Sequence, residues 1–357
     1  MNALKNPSVG VAMYNPQLQG KHELMHAFVA REPLLKRFVT SLHRELGGQP
    51  QHHLIVGARG MGKTTLLLRL RYAIEDDPEL AAHDIGLTFP EQQANIASLA
   101  DLWLNAVDAS ATWLEDAGHT AWVAELDRQA SDIRALPSPG ERRRLALQLL
   151  CRLAKRLGRR LILLVDNLDR VLDQLGDTDQ WALREVLSSE SQLQLIGTSS
   201  SLESHYRHDK AFYDFFRVHT LFGFDEPEAF GLLAKLAEQG GHSHVAELLE
   251  TDPARIQTVH RLAGGAPRTL VTLSCLLAQA SEGDARTDTL RLLDHLTPMY
   301  QHRVDSLAVQ AQKVLDALAM HWHPATAAEL ATPDLKVSVV SSQLNRLAKD
   351  GIVEKVQ

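Results

Sequence analysis

Cysteine is scarce: the 357 residues contain two, Cys151 and Cys275. They lie far apart, each within a helical apolar pattern. A disulfide framework and a cysteine-based zinc site are both excluded, and a reducing compartment fits best. Positive charge is not in excess either. Lys and Arg total 37 against 44 Asp and Glu, a formal net charge of −7. No global basic field therefore draws the chain to nucleic acid, and such a contact must come from a local patch. Long apolar runs are missing as well. None approaches the ~18 residues of a membrane-spanning helix, and the first residues lack a basic stretch followed by an apolar core. The expectation is a cytoplasmic chain with no membrane partner. What is present is ordinary for a globular protein: 45% hydrophobic and 23% charged residues, enough to bury a core, over a length that predicts two or three domains.

The first twenty residues, rich in Asn, Pro, Gln and Gly, read as an extended arm. Helical spacing follows in Leu34, Leu35, Phe38, Val39, Leu42 and Leu46, stopped by Gly47-Gly48. His53–Val56 is a short apolar run entering a glycine-rich turn, and helical spacing resumes from Lys63 to Glu75. A second strand is expected at Ile85–Phe89, ended by Pro90. Residues 96–158 carry three helical patterns. Leu161–Val165 and Leu193–Gly197 are continuous apolar runs of the buried-strand type. Strands alternating with helices predict a parallel sheet in an α/β fold. After about Phe222 the strands stop. Residues 226–296 read as helices, and the last stretch as three helices (Val309–Met320, Ala325–Ala331, Val337–Lys349) and a strand at Ile352–Val356.

Gly57-Ala58-Arg59-Gly60-Met61-Gly62-Lys63-Thr64 fits G-x-x-x-x-G-K-[ST] at every fixed position, between an expected strand and an expected helix. Glycines let backbone N–H groups turn inward around phosphate oxygens, and the helix start adds its positive dipole end. Lys63 is expected at the β- and γ-phosphates, with the Thr64 hydroxyl on Mg²⁺ and Thr65 next to it. Such a loop also needs an acidic residue at the end of a neighbouring buried strand. Leu161-Ile162-Leu163-Leu164-Val165-Asp166 supplies it, which makes Asp166 the second candidate Mg²⁺ ligand.

With these motifs in place, the sequence resembles the AAA+ P-loop ATPases, in the branch that includes initiator and helicase-loader ATPases and STAND-type signalling ATPases. Phe28-Val29-Ala30-Arg31-Glu32 resembles the family's opening motif, whose backbone cups adenine; Ala30 stands where glycine is usual. Leu195-Ile196-Gly197-Thr198-Ser199 resembles the sensor-1 strand, which implies that Thr198 or Ser199 watches the γ-phosphate. Gly264-Gly265-Ala266-Pro267-Arg268 resembles the sensor-2 motif, which implies that Arg268 reaches the γ-phosphate from a helical lid. The resemblance implies ATP and Mg²⁺ as cofactors. It divides the chain into an arm and helix (1–50), an AAA+ core (51–222), a lid (223–297) and a winged-helix domain (298–357). Only one wing strand is legible where a wing needs two.

Most family members follow the acidic strand end with a second acid that polarises water. Asn167 occupies that position here and cannot accept a proton. Asp169 and Glu91 are the two replacements, and slow ATP hydrolysis is the expectation. Family sites are usually completed by a neighbouring subunit's arginine, for which Arg217 is the first choice and Arg207 the second. This implies a homo-oligomer, a ring or filament, that recruits an effector protein.

For DNA, the expected recognition helix offers Lys336, Ser341, Ser342, Gln343, Asn345 and Arg346. Two functions stay open: a DNA-engaged assembly switch, or a STAND-like ATPase whose winged helix binds protein. A second basic run (Arg142, Arg143, Arg144, Arg152, Lys155, Arg156, Arg159, Arg160) places 152, 155, 156 and 159 on one helical face. Its default reading is a solvated surface, with a DNA or acidic-partner surface as the alternative. The 17 histidines lack partners at metal-ligand spacing, so no metal is expected beyond the nucleotide's Mg²⁺.

Overall fold

The computed structural model describes residues 20–89, 96–200, 208–279, 284–321, 323–349 and 352–353. The chain divides into two compact units, residues 1–56 with 62–221, and residues 57–61 with 222–357.

The first unit is built on five parallel strands: β1 (His53–Val56), β2 (Asp84–Thr88), β3 (Arg160–Val165), β4 (Leu193–Ser199) and β5 (Arg217–Thr220), in the order β2-β3-β4-β1-β5. Buried apolar residues along both faces make β3 the central strand type expected of its sequence, and every one of its six residues is buried. Helices α1 (Lys21–Ala27) and α2 (Glu32–Arg44) precede β1, and α3 (Lys63–Asp76) and α4 (Pro78–His83) follow it. The three helices expected between β2 and β3 are α5 (Leu99–Asp116), α6 (Thr120–Arg134) and α7 (Pro139–Leu157); α8 (Leu168–Gln174) and α9 (Asp177–Ser189) lie between β3 and β4.

Strand alternation sorts the two faces. Ile85, Leu87, Leu161, Leu163, Leu193 and Leu195 join the fully buried Trp103 and the apolar stripes of α5 to α7 in one cluster. On the other face Gly86 is in contact range of the α3 backbone: a methyl there would meet Arg71 Cα and the Ile74 side chain at 3.5 Å. Sheet and helices therefore form a layered α/β core. β5 was not legible as a strand, because its RVHT sequence is an edge strand with three of four residues exposed and has no apolar run.

The amino-terminal ends of the strands carry buried polar groups. Arg160 forms a two-pronged ion pair with Asp84 (2.8 and 2.9 Å), at 8% and 2% exposure. His52 accepts the Leu195 N–H at Nδ1 (3.0 Å) and donates from Nε2 to the Leu187 carbonyl (2.9 Å), so it is held neutral between β1, β4 and α9. His53 Nδ1 and His219 Nε2 share one proton at 3.0 Å across β1 and β5, with the Phe38 ring against both. Burial, then the neighbouring His53, Arg217 and Arg37, push His219 down to about 4. Burial also lowers His52. The unfolded chain takes up the His219 proton near the ordinary histidine value and the folded chain only well below it, and His52 shifts in the same direction. Stability is therefore complete above about pH 6.5 and falls as the pH drops toward 4. We expect a melting temperature that declines by several degrees over that window, and a His219→Asn variant with a shallower decline. A flat profile in the parent protein would contradict the assignment.

The second unit is helical: α10 (Glu226–Gly240), α11 (Ser243–Thr251), α12 (Pro253–Ala263), α13 (Pro267–Gln279), α14 (Ala285–Asp305), α15 (Val309–Ala319) and α16 (Val337–Lys349). Leu233, Val245, Ile256, Val259, Leu273, Leu277 and Leu292 form its larger core. Arg255 and Asp288 make a buried ion pair (2.5 and 3.0 Å) between α12 and α14. Between α12 and α13, Gly264 and Gly265 take φ of 62° and 66°. A methyl on Gly265 would lie 2.2 Å from the Phe224 carbonyl oxygen, so only glycine fits there.

A smaller core gathers Ala311, Val314, Leu330, Leu335, Val340 and Leu347. The helix expected at Ala325–Ala331 is instead one run of turns at 327–330. Thr326 and Glu329 cap it reciprocally, Thr326 N–H to Glu329 at 2.7 Å and Glu329 N–H to Thr326 Oγ1 at 3.4 Å. Pro333 follows too soon for a second turn, since the residue before proline disfavours the helical conformation. Of the strand expected at Ile352–Val356, Ile352 and Val353 form a bend and the rest lies outside the described residues. No helix among the described residues is long and apolar enough to cross a membrane.

Candidate nucleotide site

β1 delivers the chain into the glycine-rich loop with all four strand residues buried. Gly60 and Gly62 adopt φ of 89° and 81°, the left-handed region that side chains resist. Gly62 is the N-cap of α3 and has no side chain with which to cap the first turn of that helix. A helix start of this kind presents its N–H groups and dipole to an incoming anion. Lys63, the first residue of α3, is buried at 8% exposure, and Leu66, Leu67, Leu70 and Ile74 anchor the helix behind it. Thr64 and Thr65 are half-buried and Arg59 is exposed.

The hydroxyl of Thr64 donates to Asp166 Oδ2 at 2.6 Å. Asp166 follows β3 directly and is 6% exposed. Its other oxygen accepts a short hydrogen bond from Thr198 Oγ1. Thr198, fully buried on β4, also accepts the Asn167 N–H at 2.9 Å. The end of β3, the end of β4 and the start of α3 are thereby tied through one carboxylate. Residues read separately as Mg²⁺ ligands and as a sensor form one chain of hydrogen bonds. Asn167 itself sits at φ 51° and ψ 47°, a left-handed position that asparagine tolerates better than most residues.

Asp169 in the first turn of α8 takes a different role from that of a free carboxylate. One oxygen accepts from Ser199 Oγ (3.2 Å), Ser200 N–H (2.8 Å) and Ser200 Oγ (2.7 Å), and the other accepts the Arg170 N–H at 3.0 Å. It ties α8 to the end of β4. Ser200 was not singled out from the sequence, although the Thr-Ser-Ser run after an apolar strand is the signal that marks it. Glu91 and Arg207 lie outside the described residues.

Val29, Ala30 and Arg31 form the half-buried turn between α1 and α2, and Arg31 is the N-cap of α2. Beside that turn the Arg69 guanidinium lies over the Phe28 ring at 5.2 Å and pairs with Glu32 at 3.5 Å, joining α3 to this segment. Within the second unit, which includes residues 57–61, Arg268 donates its backbone N–H to the Gly60 carbonyl at 3.2 Å. A methyl on Gly60 would approach Arg268 Cβ to 3.1 Å. Arg217 is exposed at the start of β5, in register with His53 at the end of β1 remote from the glycine-rich loop. It therefore stands apart from Lys63, Thr64 and Asp166. Among the described residues no group of three or more His, Cys, Asp or Glu could hold a metal ion.

Comparison with known proteins gives a consistent picture of the fold. Residues 27–197 match the family model of the AAA ATPase domain. No curated protein matches the chain by sequence. Among solved structures, a Walker-type ATPase of Pyrococcus abyssi, Paby2304, is similar with 16% identity and a TM-score of 0.55, over 89% of each chain. The ORC1 protein of Aeropyrum pernix in complex with DNA is similar with 17% identity and a TM-score of 0.50, over 91% of this chain and 85% of its own. The ORC2 protein of the same organism, in ADPNP–ADP complexes, has 16% identity and a TM-score of 0.51, over 92% of this chain and 87% of its own. The parallel five-stranded core is that of the P-loop AAA+ α/β fold.

Proposed function

We propose that this chain is an ATP-binding AAA+ ATPase that acts as a nucleotide-dependent assembly switch on DNA and recruits an effector protein. The observation that carries the reading is the convergence of buried Lys63 and Asp166 with half-buried Thr64 after a glycine-rich loop whose last residue, Gly62, is the N-cap of the helix. The loop N–H groups and the Lys63 ammonium bind the triphosphate. The turn at Val29, Ala30 and Arg31 holds the adenine. Thr64 and Asp166, hard oxygen donors 2.6 Å apart, suit Mg²⁺, which supplies neutralisation of the phosphate charge when bound. Thr198 works as a positioning residue, since it orients Asp166.

Arg268 follows Gly264–Gly265, and its backbone bond to Gly60 couples the helical lid to the phosphate loop. Its guanidinium acts on the γ-phosphate. ATP and ADP then differ in what they offer this arginine, and a ligand moves an equilibrium only by such a difference. The exposure of Arg217, remote from its own phosphate loop, supports its use by a second copy of the chain in a ring or filament. The exposed residues at the start of α16 and along it, among them Lys336, Ser341, Ser342 and Arg346, favour DNA as its partner. The Aeropyrum pernix ORC1 relative in fold is itself a DNA complex.

Hydrolysis is slow in this scheme, because Asn167 replaces a base and the Asp169 oxygens are engaged. Turnover is expected well below the ~10 s⁻¹ of a median enzyme. Glu91→Gln is expected to keep ATP affinity and lose hydrolysis. Asp169→Asn is expected to retain part of the hydrolysis, since an amide still accepts the Ser200 N–H. The opposite ranking in a phosphate-release assay assigns the base to Asp169.

The decisive experiment is particle mass in solution with and without a non-hydrolysable ATP analogue, with duplex DNA added or withheld. ATP-dependent growth together with DNA retention that weakens steeply with salt is expected. Growth without any DNA binding would support the STAND-like reading instead, and no nucleotide effect would overturn both.

A further inference from the structure

Helix α7 carries several basic side chains that make no ion pair among the described residues. Elsewhere in the first unit several arginines pair with carboxylates: Arg69 with Glu32, Arg71 with Glu75, Arg134 with Asp108 and Arg160 with Asp84. On α7 only Arg143 does, with Asp179 at 3.0 Å, among the described residues. Arg144 and Arg152 bond to Gln148, and Arg156 lies over the Trp122 ring at 3.7 Å. Among the described residues, no carboxylate lies within ion-pair distance of Arg144, Arg152, Lys155 or Arg156. At 100° per residue these four spread over one side of the helix, opposite Ala146, Leu150 and Leu153, which enter the core. In a chain of net charge −7 such a local excess stands out.

Beside this face runs a groove of about 210 Å³ between α6 and α7. Leu126, Leu149 and Leu153 form its floor, Trp122 and Gln129 line one side, and Arg152 and Arg156 edge the other. Glu125 also lies in the groove, where Gln129 and Arg128 (2.9 and 3.1 Å) bond its oxygens and, with the nearby charge of Arg156, hold its carboxyl below the usual range. The groove thus pairs an apolar floor with a cationic rim.

We infer that the α6–α7 groove is a docking site for an acidic amphipathic helix of a partner protein, with its apolar side chains on the leucine floor and its carboxylates against Arg152, Arg156 and Lys155. Charge complementarity selects an anionic occupant, and the floor selects between the anions. Nucleic acid offers phosphates but no aliphatic face to fill the groove. Its bases also cannot stack on the face of Trp122 that Arg156 covers. An amphipathic helix satisfies both features, by the helix-in-groove mode in which apolar residues at i, i+3 and i+4 enter a trough. The groove shares no lining residue with Lys63, Thr64 and Asp166, so it does not depend on the nucleotide-switch reading.

The test is selection of a displayed random library of ~16-residue peptides on the full chain, long enough for about 24 Å of helix. Selected peptides are then measured by fluorescence anisotropy, beside a single-stranded and a duplex oligonucleotide. Expected are peptides rich in Asp and Glu with Leu or Phe at helical spacing, weakened tenfold or more by R152E/R156E. They should be unaffected by K313E, an exposed charge reversal in the second unit. Circular dichroism of R152E/R156E should match the parent, since both side chains are exposed. If no peptide is enriched, if enriched peptides lack acidic residues, or if they ignore R152E/R156E, the inference fails. Oligonucleotide binding that disappears in R152E/R156E, with no peptide doing so, would assign the face to nucleic acid and overturn it as well.

Discussion

Replacing Lys63 by alanine is expected to lower affinity for ATP by a factor of about 100 or more while leaving the fold intact. Lys63 heads α3 at 8% exposure, directly after the glycine-rich loop, where its ammonium can meet a phosphate oxygen. Truncating one partner of a buried, hydrogen-bonded charge pair typically costs about 2–5 kcal/mol, and each ~1.4 kcal/mol is a factor of ten. The loss should be the same with and without Mg²⁺. Thr64→Ala and Asp166→Asn should behave differently, because their hydroxyl and carboxylate address the cation and not the phosphates. They should remove most of the Mg²⁺-dependent part of the affinity and leave the Mg²⁺-free part nearly unchanged. Isothermal titration with an ATP analogue, in Mg²⁺ and in chelator, separates the two classes. Equal affinity for nucleotide in the parent and in Lys63→Ala would end the nucleotide-site reading.

The largest effect on stability is expected from Arg160→Met. Arg160 and Asp84 stand opposite each other in the register of β3 and β2, and the guanidinium covers both carboxylate oxygens. Truncating the cation leaves Asp84, 2% exposed, as a buried charge without its partner. Breaking a buried pair in this way costs about 3–5 kcal/mol. With a shift of about 2–4 °C per kcal/mol for domains of ~150–250 residues, a drop of about 6–20 °C in the melting transition follows. The double replacement Arg160→Met with Asp84→Leu should recover much of it, because an apolar pair of similar volume is often as stable as the buried ions it replaces. Thermal denaturation of the parent, both single variants and the double forms the cycle. If Arg160→Met melts with the parent, the pair contributes nothing and the sheet edge is held by packing alone.

Much of the core was legible from its residues because the signals are local. The glycine-rich loop declares itself by spacing, and the apolar runs at 161–165 and 193–197 can only be buried strands beside helices of amphipathic period. A strand whose neighbours cover one edge and leave most of its side chains in water has no such signature, and β5 was missed for that reason. The helix read at Ala325–Ala331 has the right residues for one turn, but its length between Thr326 and Pro333 cannot repay nucleation. Asp169 and Asp166 look alike on paper. Asp166 meets Thr64 and Thr198, whereas Asp169 binds the end of β4.

The chain's own order of residues thus determined the phosphate loop, the acidic strand end and the parallel α/β core, because each depends on contacts within a few residues or on a simple period. Tertiary structure alone decided which hydroxyl meets which carboxylate, that His53 and His219 share a proton, that Asp84 has Arg160 for its partner, and that Arg152, Lys155 and Arg156 of α7 have no carboxylate within ion-pair distance among the described residues. Those pairings join positions distant in sequence. Only the strand order β2-β3-β4-β1-β5 and the packing of α6 on α7 bring them within the few ångströms over which hydrogen bonds and ion pairs act.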